Sequence, residues 1–114
     1  MNYLLKNLKD LGPHLIGLRK ERTDVYDAFQ ELGKKVYVDG ELSHAQKELI
    51  AMAISIATKC DPCIAHHARA LAKMDVSREA YQEMLEVVIQ MGGGPGLMKS
   101  GEAMAIFDEV RAGG

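Results

Sequence analysis

Apolar side chains recur at helical spacing through almost the whole chain, and this pattern constrains the fold more than any other feature. The pattern that marks a strand, strict alternation of apolar and polar residues, is nearly absent. One stripe that we expect to face the core consists of Val25, Phe29, Leu32 and Val36. The sequence therefore predicts an all-α fold, a single small domain of five to six helices that covers residues 1–114.

Caps and breakers place the ends of these helices. Gly12-Pro13 should end the first helix, which starts near Asn2 and runs to Leu11. Thr23 or Asp24 is a candidate cap for the second. We expect the six helices at about residues 2–11, 23–36, 43–59, 60–74 and 78–91 and, after the glycine-rich stretch 92–96, at the end of the chain.

The third and fifth helices carry the clearest start signals. Ser43 and Gln46 form a capping-box pattern, and Ser77 should cap the fifth helix. Residues 49–57 are apolar except for Ser55, which is typical of a central helix buried on all sides. The Gly113-Gly114 end is expected to fray.

Charge and composition argue against several classes of partner. The formal net charge is −2 and aromatic residues are 5% of the chain, so neither an anionic nucleic acid nor an anionic membrane surface is an expected partner. No apolar run is long enough to span a bilayer, and the first residues lack a secretory signal pattern. We therefore expect a cytoplasmic protein that binds neither nucleic acid nor membranes.

The two cysteines, Cys60 and Cys63, form a single C-x-x-C at the expected start of the fourth helix. Backbone N–H groups and the helix dipole favour the thiolate, the reactive form of sulfur, at such a position. His67 follows Cys63 by four residues and therefore shares its helix face, whereas His66 flanks that face less directly.

Glu48, on the third helix, completes the candidate catalytic set. Antiparallel packing of the third and fourth helices would bring its carboxylate beside His67. There it would orient the imidazole in a thiol–imidazole–carboxylate relay or carry a proton itself. Local sequence alone also allows plainer roles: Glu48 as an ordinary residue of a helix first turn, the histidines as surface or core residues, and the cysteines as part of a metal site.

The pattern of Glu48, Cys60, Cys63 and His67 resembles that of the AhpD-like alkylhydroperoxidases of the carboxymuconolactone decarboxylase superfamily. The resemblance is strongest over residues 42–74. It implies an all-α enzyme that assembles into trimers or hexamers, with thiol peroxidase or disulfide reductase activity and neither cofactor nor metal. It also implies that Cys63, activated through Glu48 and His67, attacks the peroxide and that Cys60 resolves the sulfenic acid.

One departure from that pattern lies between the cysteines, where this chain has Asp61-Pro62 and well-known members have a histidine. Either the proton relay is shorter in this chain or His66 substitutes for that histidine. The Asp61 carboxylate should disfavour a thiolate at Cys60. The expected partners are a hydroperoxide and a thiol reductant, which can be a lipoyl protein, a thioredoxin-like protein or a small thiol. The alternatives are a lactone-processing decarboxylase that uses Glu48 and His67, and a metal-binding oligomeric module.

Overall fold

The computed structural model describes residues 1–113 and contains five α-helices within that range. Helix α3 begins with the predicted capping box, in which Ser43 and Gln46 bond to each other's backbone N–H groups. Ser77 caps α5 as expected. The helices are α1 Tyr3–Glu21, α2 Thr23–Val36, α3 His44–Ala57, α4 Asp61–Ala72 and α5 Arg78–Arg111. The all-α prediction is confirmed.

Two predicted helix ends are wrong. Helix α1 continues through Pro13 to Glu21 instead of stopping at Leu11. Pro13 is exposed, so the Lys9 carbonyl that loses its helical partner remains accessible to water and the helix tolerates the loss. The N-cap of α2 is Arg22, and the Thr23 hydroxyl does not cap the helix because it donates to the carbonyl of Arg19.

The core lies between α3, α4 and α5 and is closed by the first turn of α1. Its largest fully buried side chains are Tyr81, Phe107, Leu4, Met52, Ile64, Leu71 and Ile106. Helix α3 is not buried on all sides as predicted, because Ile50 and Ile54 are about half exposed (47% and 56%). One flank of this apolar helix therefore faces outward.

The predicted core stripe of α2 faces solvent. Helix α2 contains no buried residue and packs against α1 rather than against the core. Phe29 is 72% exposed and Val25 is 74% exposed. The stripe forms one face of a helix, as predicted. Periodicity identifies the apolar face of a helix but does not show whether the core of the same chain covers it.

Helix α5 reverses direction at Gly93, whose φ of 62° and ψ of −147° are not helical. The Tyr81 hydroxyl donates to the carbonyl of Ala103 at 2.8 Å, although 22 residues separate the two. The two halves of α5 therefore pack side by side, and the glycine-rich break and the last helix lie where the sequence predicted them. None of the helices described is both long and apolar enough to cross a membrane.

Candidate active site

The two cysteines lie at the turn between α3 and α4, held by backbone hydrogen bonds. Lys59 adopts a left-handed conformation (φ 59°), which ends α3 and reverses the chain. The Cys60 N–H donates to the Ser55 carbonyl at 3.0 Å. Cys60 is the N-cap of α4, and its sulfur accepts from the Cys63 N–H at 3.3 Å. The reversal thus sets both sulfurs at the N-terminus of a helix.

Cys60 and Cys63 are joined by a disulfide, and their Cα atoms are 5.2 Å apart. Both residues are partly accessible. A disulfide that closes so short a loop adds little to the stability of the fold. Because the disulfide is partly accessible and lies at a helix start, an incoming thiol can reduce it by thiol–disulfide exchange.

Glu48 and His67 are brought together by the antiparallel packing of α3 and α4. His67 Nδ1 lies 2.6 Å from Glu48 Oε2, a short hydrogen bond between largely buried side chains. Glu48 is only 6% exposed, so its carboxylate depends on this partner for stabilisation. Because Glu48 engages Nδ1, Nε2 is the ring nitrogen available for proton exchange. His67 follows Cys63 on α4 by four residues, which is about one helical turn.

Two further residues surround this carboxylate that the sequence did not single out. His44 Nε2 lies 3.4 Å from Glu48 Oε1, so the carboxylate stands between two imidazoles. The Tyr37 ring packs against both histidines, with ring centroids 5.9 Å from His44 and 6.3 Å from His67. Burial, and then the charge of Glu48, raise the pKa of the Tyr37 phenol above its ordinary value. His44 precedes Glu48 by four residues, a spacing that could have revealed it.

His66 does not join the Glu48 pair. Its side chain reaches solvent, and its ring meets that of His67 edge-on at a centroid distance of 5.0 Å. Partial desolvation, and then the nearby His67 and Arg69, lower the pKa of His66. The structure therefore sets His66 beside the Glu48–His67 pair rather than within it.

Asp61, between the cysteines, is paired with a cation. Lys99 Nζ donates to Asp61 Oδ1 at 2.7 Å from the second half of α5. This hydrogen bond is the largest influence on Lys99 and raises the pKa of its ammonium group. Lys99 was not predicted, because 38 residues separate it from Asp61 and no local spacing connects them.

As to a metal site, residues 1–113 contain no group of three or more His, Cys, Asp and Glu side chains placed to hold an ion.

The family model for carboxymuconolactone decarboxylases matches residues 23–108. The chain belongs to the carboxymuconolactone decarboxylase family. The match spans both cysteines, the Glu48–His67 pair and nearly all of α5. The sequence resemblance to the wider superfamily is thereby confirmed.

Relatives of this chain share its length as well as its sequence. It is 35% identical over 109 residues to an uncharacterized protein of Cupriavidus necator, and the match covers 96% of both chains. It is 33% identical over 84 residues to uncharacterized protein 4 in the cox locus of Paracoccus denitrificans, covering 74% of this chain and 76% of that one.

Solved structures show the same fold. A carboxymuconolactone decarboxylase family protein from Legionella pneumophila, crystallised in its apo form, superposes with a TM-score of 0.92 at 36% identity, covering 97% of this chain and 99% of that one. A family member from Thermotoga maritima superposes with a TM-score of 0.71 at 24% identity, covering 87% of this chain and 91% of that one. The second likeness concerns the fold alone.

Proposed function

We propose that this protein is a thiol peroxidase that reduces hydroperoxides through Cys63 and Cys60. The observation that carries the proposal is the 2.6 Å contact between His67 and Glu48, one helical turn from Cys63. A buried carboxylate that fixes one nitrogen of an imidazole beside a cysteine is the arrangement by which a thiol is activated for attack. The partly accessible position of both cysteines at the start of α4 supports the same chemistry, because a helix N-terminus favours the thiolate.

The reaction begins with the reduced pair. His67 accepts the Cys63 proton, and the thiolate attacks the terminal oxygen of the hydroperoxide. The sulfur–oxygen bond forms as the oxygen–oxygen bond breaks, and the leaving alkoxide takes the proton from His67. The products are an alcohol and the sulfenic acid of Cys63.

Cys60 then completes the cycle. The Cys60 thiol gives up its proton and its sulfur attacks the sulfur of the sulfenic acid. The sulfur–oxygen bond breaks, the released proton joins the leaving hydroxide to form water, and the disulfide between Cys60 and Cys63 forms. A thiol reductant returns two electrons and two protons by thiol–disulfide exchange. A lipoyl protein, a thioredoxin-like protein or a small thiol has the required chemistry.

A second candidate follows from the family itself. Glu48 and His67 are a buried acid–base pair, and such a pair also serves a lactone-processing decarboxylase. In that reaction the cysteines would take no part. A Cys63→Ser variant separates the two candidates, since it abolishes thiol chemistry and spares decarboxylation.

The test is the intact mass of the reduced protein after one equivalent of an organic hydroperoxide such as cumene hydroperoxide. We expect the wild type to lose two hydrogens as the disulfide forms. Cys60→Ser should instead gain one oxygen on Cys63, and Cys63→Ser should stay unchanged. A wild-type protein that gains oxygen without losing two hydrogens contradicts the role of Cys60, and one that never reacts contradicts the proposal.

A further inference from the structure

A chain of polar contacts runs from α1 through α5 to the residue between the cysteines. The Tyr3 hydroxyl donates to Glu102 Oε1, and Glu102 Oε2 lies 3.3 Å from Lys99 Nζ. Lys99 in turn donates to Asp61 Oδ1 at 2.7 Å. The Lys99 side chain is 28% exposed and that of Asp61 is 43% exposed, so solvent screens the pair only in part.

Asp61 creates an electrostatic problem for a thiol enzyme. As the first residue of α4 it suits the helix dipole, but it also puts a carboxylate on the residue next to Cys60 in the chain and two positions before Cys63. A second negative charge close to a cysteine disfavours its thiolate. A cation at Asp61 offsets this penalty, and Lys99 is the cation that the structure provides.

We propose that Lys99 is a positioning residue of the dithiol. By pairing with Asp61 it offsets the negative charge of that carboxylate, so that a larger fraction of Cys60 and Cys63 is in the thiolate form near neutral pH. The inference rests on the proposed thiol chemistry, since it assigns Lys99 a role in preparing the pair for attack. It adds a residue that lies 36 positions beyond Cys63 and belongs to another helix.

The charge of Lys99 persists wherever thiols titrate. Its hydrogen bond to Asp61 raises the pKa of its ammonium group above an already high ordinary value, so it stays cationic. Further titratable or charged groups on the elements around the C-x-x-C include Tyr3 on α1, Glu48 on α3, Lys59 in the turn, His66, His67 and Arg69 on α4, and Glu102 on α5.

If Lys99 acts through its charge, removing Lys99 and removing the Asp61 carboxylate should shift the thiolate fraction in opposite directions. If the ion pair is only structural, both changes should shift it in the same direction. Lys99→Met leaves the Asp61 carboxylate uncompensated and should disfavour the thiolate. Asp61→Asn leaves the Lys99 ammonium in excess and should favour it. Both substitutions break the same ion pair, so a role that only holds α5 against α4 would move the thiols in one direction.

The experiment measures the alkylation rate of each thiol by iodoacetamide against pH, in Cys60→Ser and Cys63→Ser backgrounds. We expect Lys99→Met to lower the thiolate fraction at pH 7 about two- to fivefold and Asp61→Asn to raise it by a similar factor. The double variant should return close to the parent, and Lys99→Arg should preserve its profile. Arg78→Met, which breaks an exposed pair with Asp108, is the matched control and should change nothing.

Opposite shifts for the two single variants support the proposal. Equal profiles, or shifts of the same sign, overturn it. Thermal unfolding of each variant checks that the fold persists. The proposed function fails separately: if the thiols show these shifts yet the reduced protein does not react with hydroperoxide, Lys99 keeps its role toward the dithiol and the peroxidase proposal falls.

Discussion

At the scale of single residues, Glu48 is the unusual one, because its buried carboxylate meets two imidazoles. His67 holds one oxygen at 2.6 Å and His44 lies 3.4 Å from the other. His44 is half exposed (45%), whereas His67 is nearly buried (16%). His44 is therefore the more solvent-accessible of the two partners, and we expect protons to pass between the Glu48–His67 pair and solvent through it.

Replacing His44 with Gln should slow peroxide reduction modestly, by about two- to tenfold, because the carboxylate keeps His67 but loses its exposed partner. The rate of disulfide formation after a hydroperoxide pulse measures the effect. His14→Gln, an exposed histidine of α1, is the control. A His44 variant as fast as the control would exclude His44 from proton transfer.

Tyr81 couples protonation to stability. Burial raises the pKa of its phenol, and its hydroxyl donates to the Ala103 carbonyl. The folded chain holds this proton at pH values where the unfolded chain releases it. The stabilisation is thus complete below the ordinary value of 10.0 and is lost as pH rises above it.

Tyr81→Phe should accordingly flatten the alkaline loss of stability. At neutral pH it should cost about 1–3 kcal/mol, since the Ala103 carbonyl is left without its donor. Denaturant unfolding between pH 7 and pH 11 is the measurement, and Tyr26→Phe controls for the loss of a tyrosine hydroxyl on α2. An unchanged alkaline slope for Tyr81→Phe would contradict this linkage.

Much of the candidate site was predictable because its spacings are local. Cys60, Cys63 and His67 lie within eight consecutive positions of one helix start, and only the packing of two adjacent helices is needed to add Glu48. Tyr37 and Lys99 escaped prediction for the opposite reason. They reach the site through tertiary packing, which no spacing in the sequence encodes.

At the scale of elements, the reversal inside α5 depends on a close approach of its two halves. A Cβ on Gly96 would lie 2.8 Å from the carbonyl oxygen of Val88, a backbone atom that cannot turn aside. Gly101, in the same half, has nothing within 4 Å of the corresponding point. The two glycines therefore differ in packing while sharing a helix.

This difference predicts opposite effects of one substitution. Gly96→Ala should destabilise the protein by about 1–3 kcal/mol through overpacking, whereas Gly101→Ala should stabilise it by about 0.5–1 kcal/mol through lower chain entropy. Urea unfolding of both variants measures the difference. The close approach is refuted if Gly96→Ala is as stable as Gly101→Ala.

The starts of α3 and α5 were predictable from their serine caps, whereas the end of α1, for which Gly12-Pro13 was the only signal, was not. Ser43 and Ser77 cap α3 and α5 through bonds to nearby N–H groups, a purely local interaction. Pro13 failed as a stop signal because its cost depends on whether the freed carbonyl finds water. That depends on exposure, which is decided by the rest of the fold.

At the scale of the whole molecule, two apolar surfaces lack a partner within residues 1–113. One is the α2 stripe around Phe29. The other is a groove of about 580 Å³ between α3 and the bend of α5, whose rim includes Ile54, Met91 and Met98. Exposed apolar areas of this kind are typical of interfaces, so we expect a homo-oligomer. The family resemblance implies that this oligomer is a trimer or a hexamer.

Phe29→Glu should weaken that assembly, because a carboxylate replaces a large apolar side chain that is 72% exposed in the single chain. Light scattering at micromolar concentration compares the two proteins, with Lys34→Glu on the same helix as the charge control. A wild-type mass of 12.5 kDa would refute the oligomer.

The central claim is that Glu48 and His67 activate Cys63, and a single-turnover rate tests it most directly. Reduced wild type, Glu48→Gln and His67→Gln are mixed with one equivalent of hydroperoxide, and disulfide formation is followed in time. We predict that both variants slow the reaction on the order of ten- to a thousand-fold, while Asp108→Asn, a surface carboxylate, retains the wild-type rate. If Glu48→Gln and His67→Gln react as fast as the wild type, the relay is wrong and the helix N-terminus alone activates the thiol.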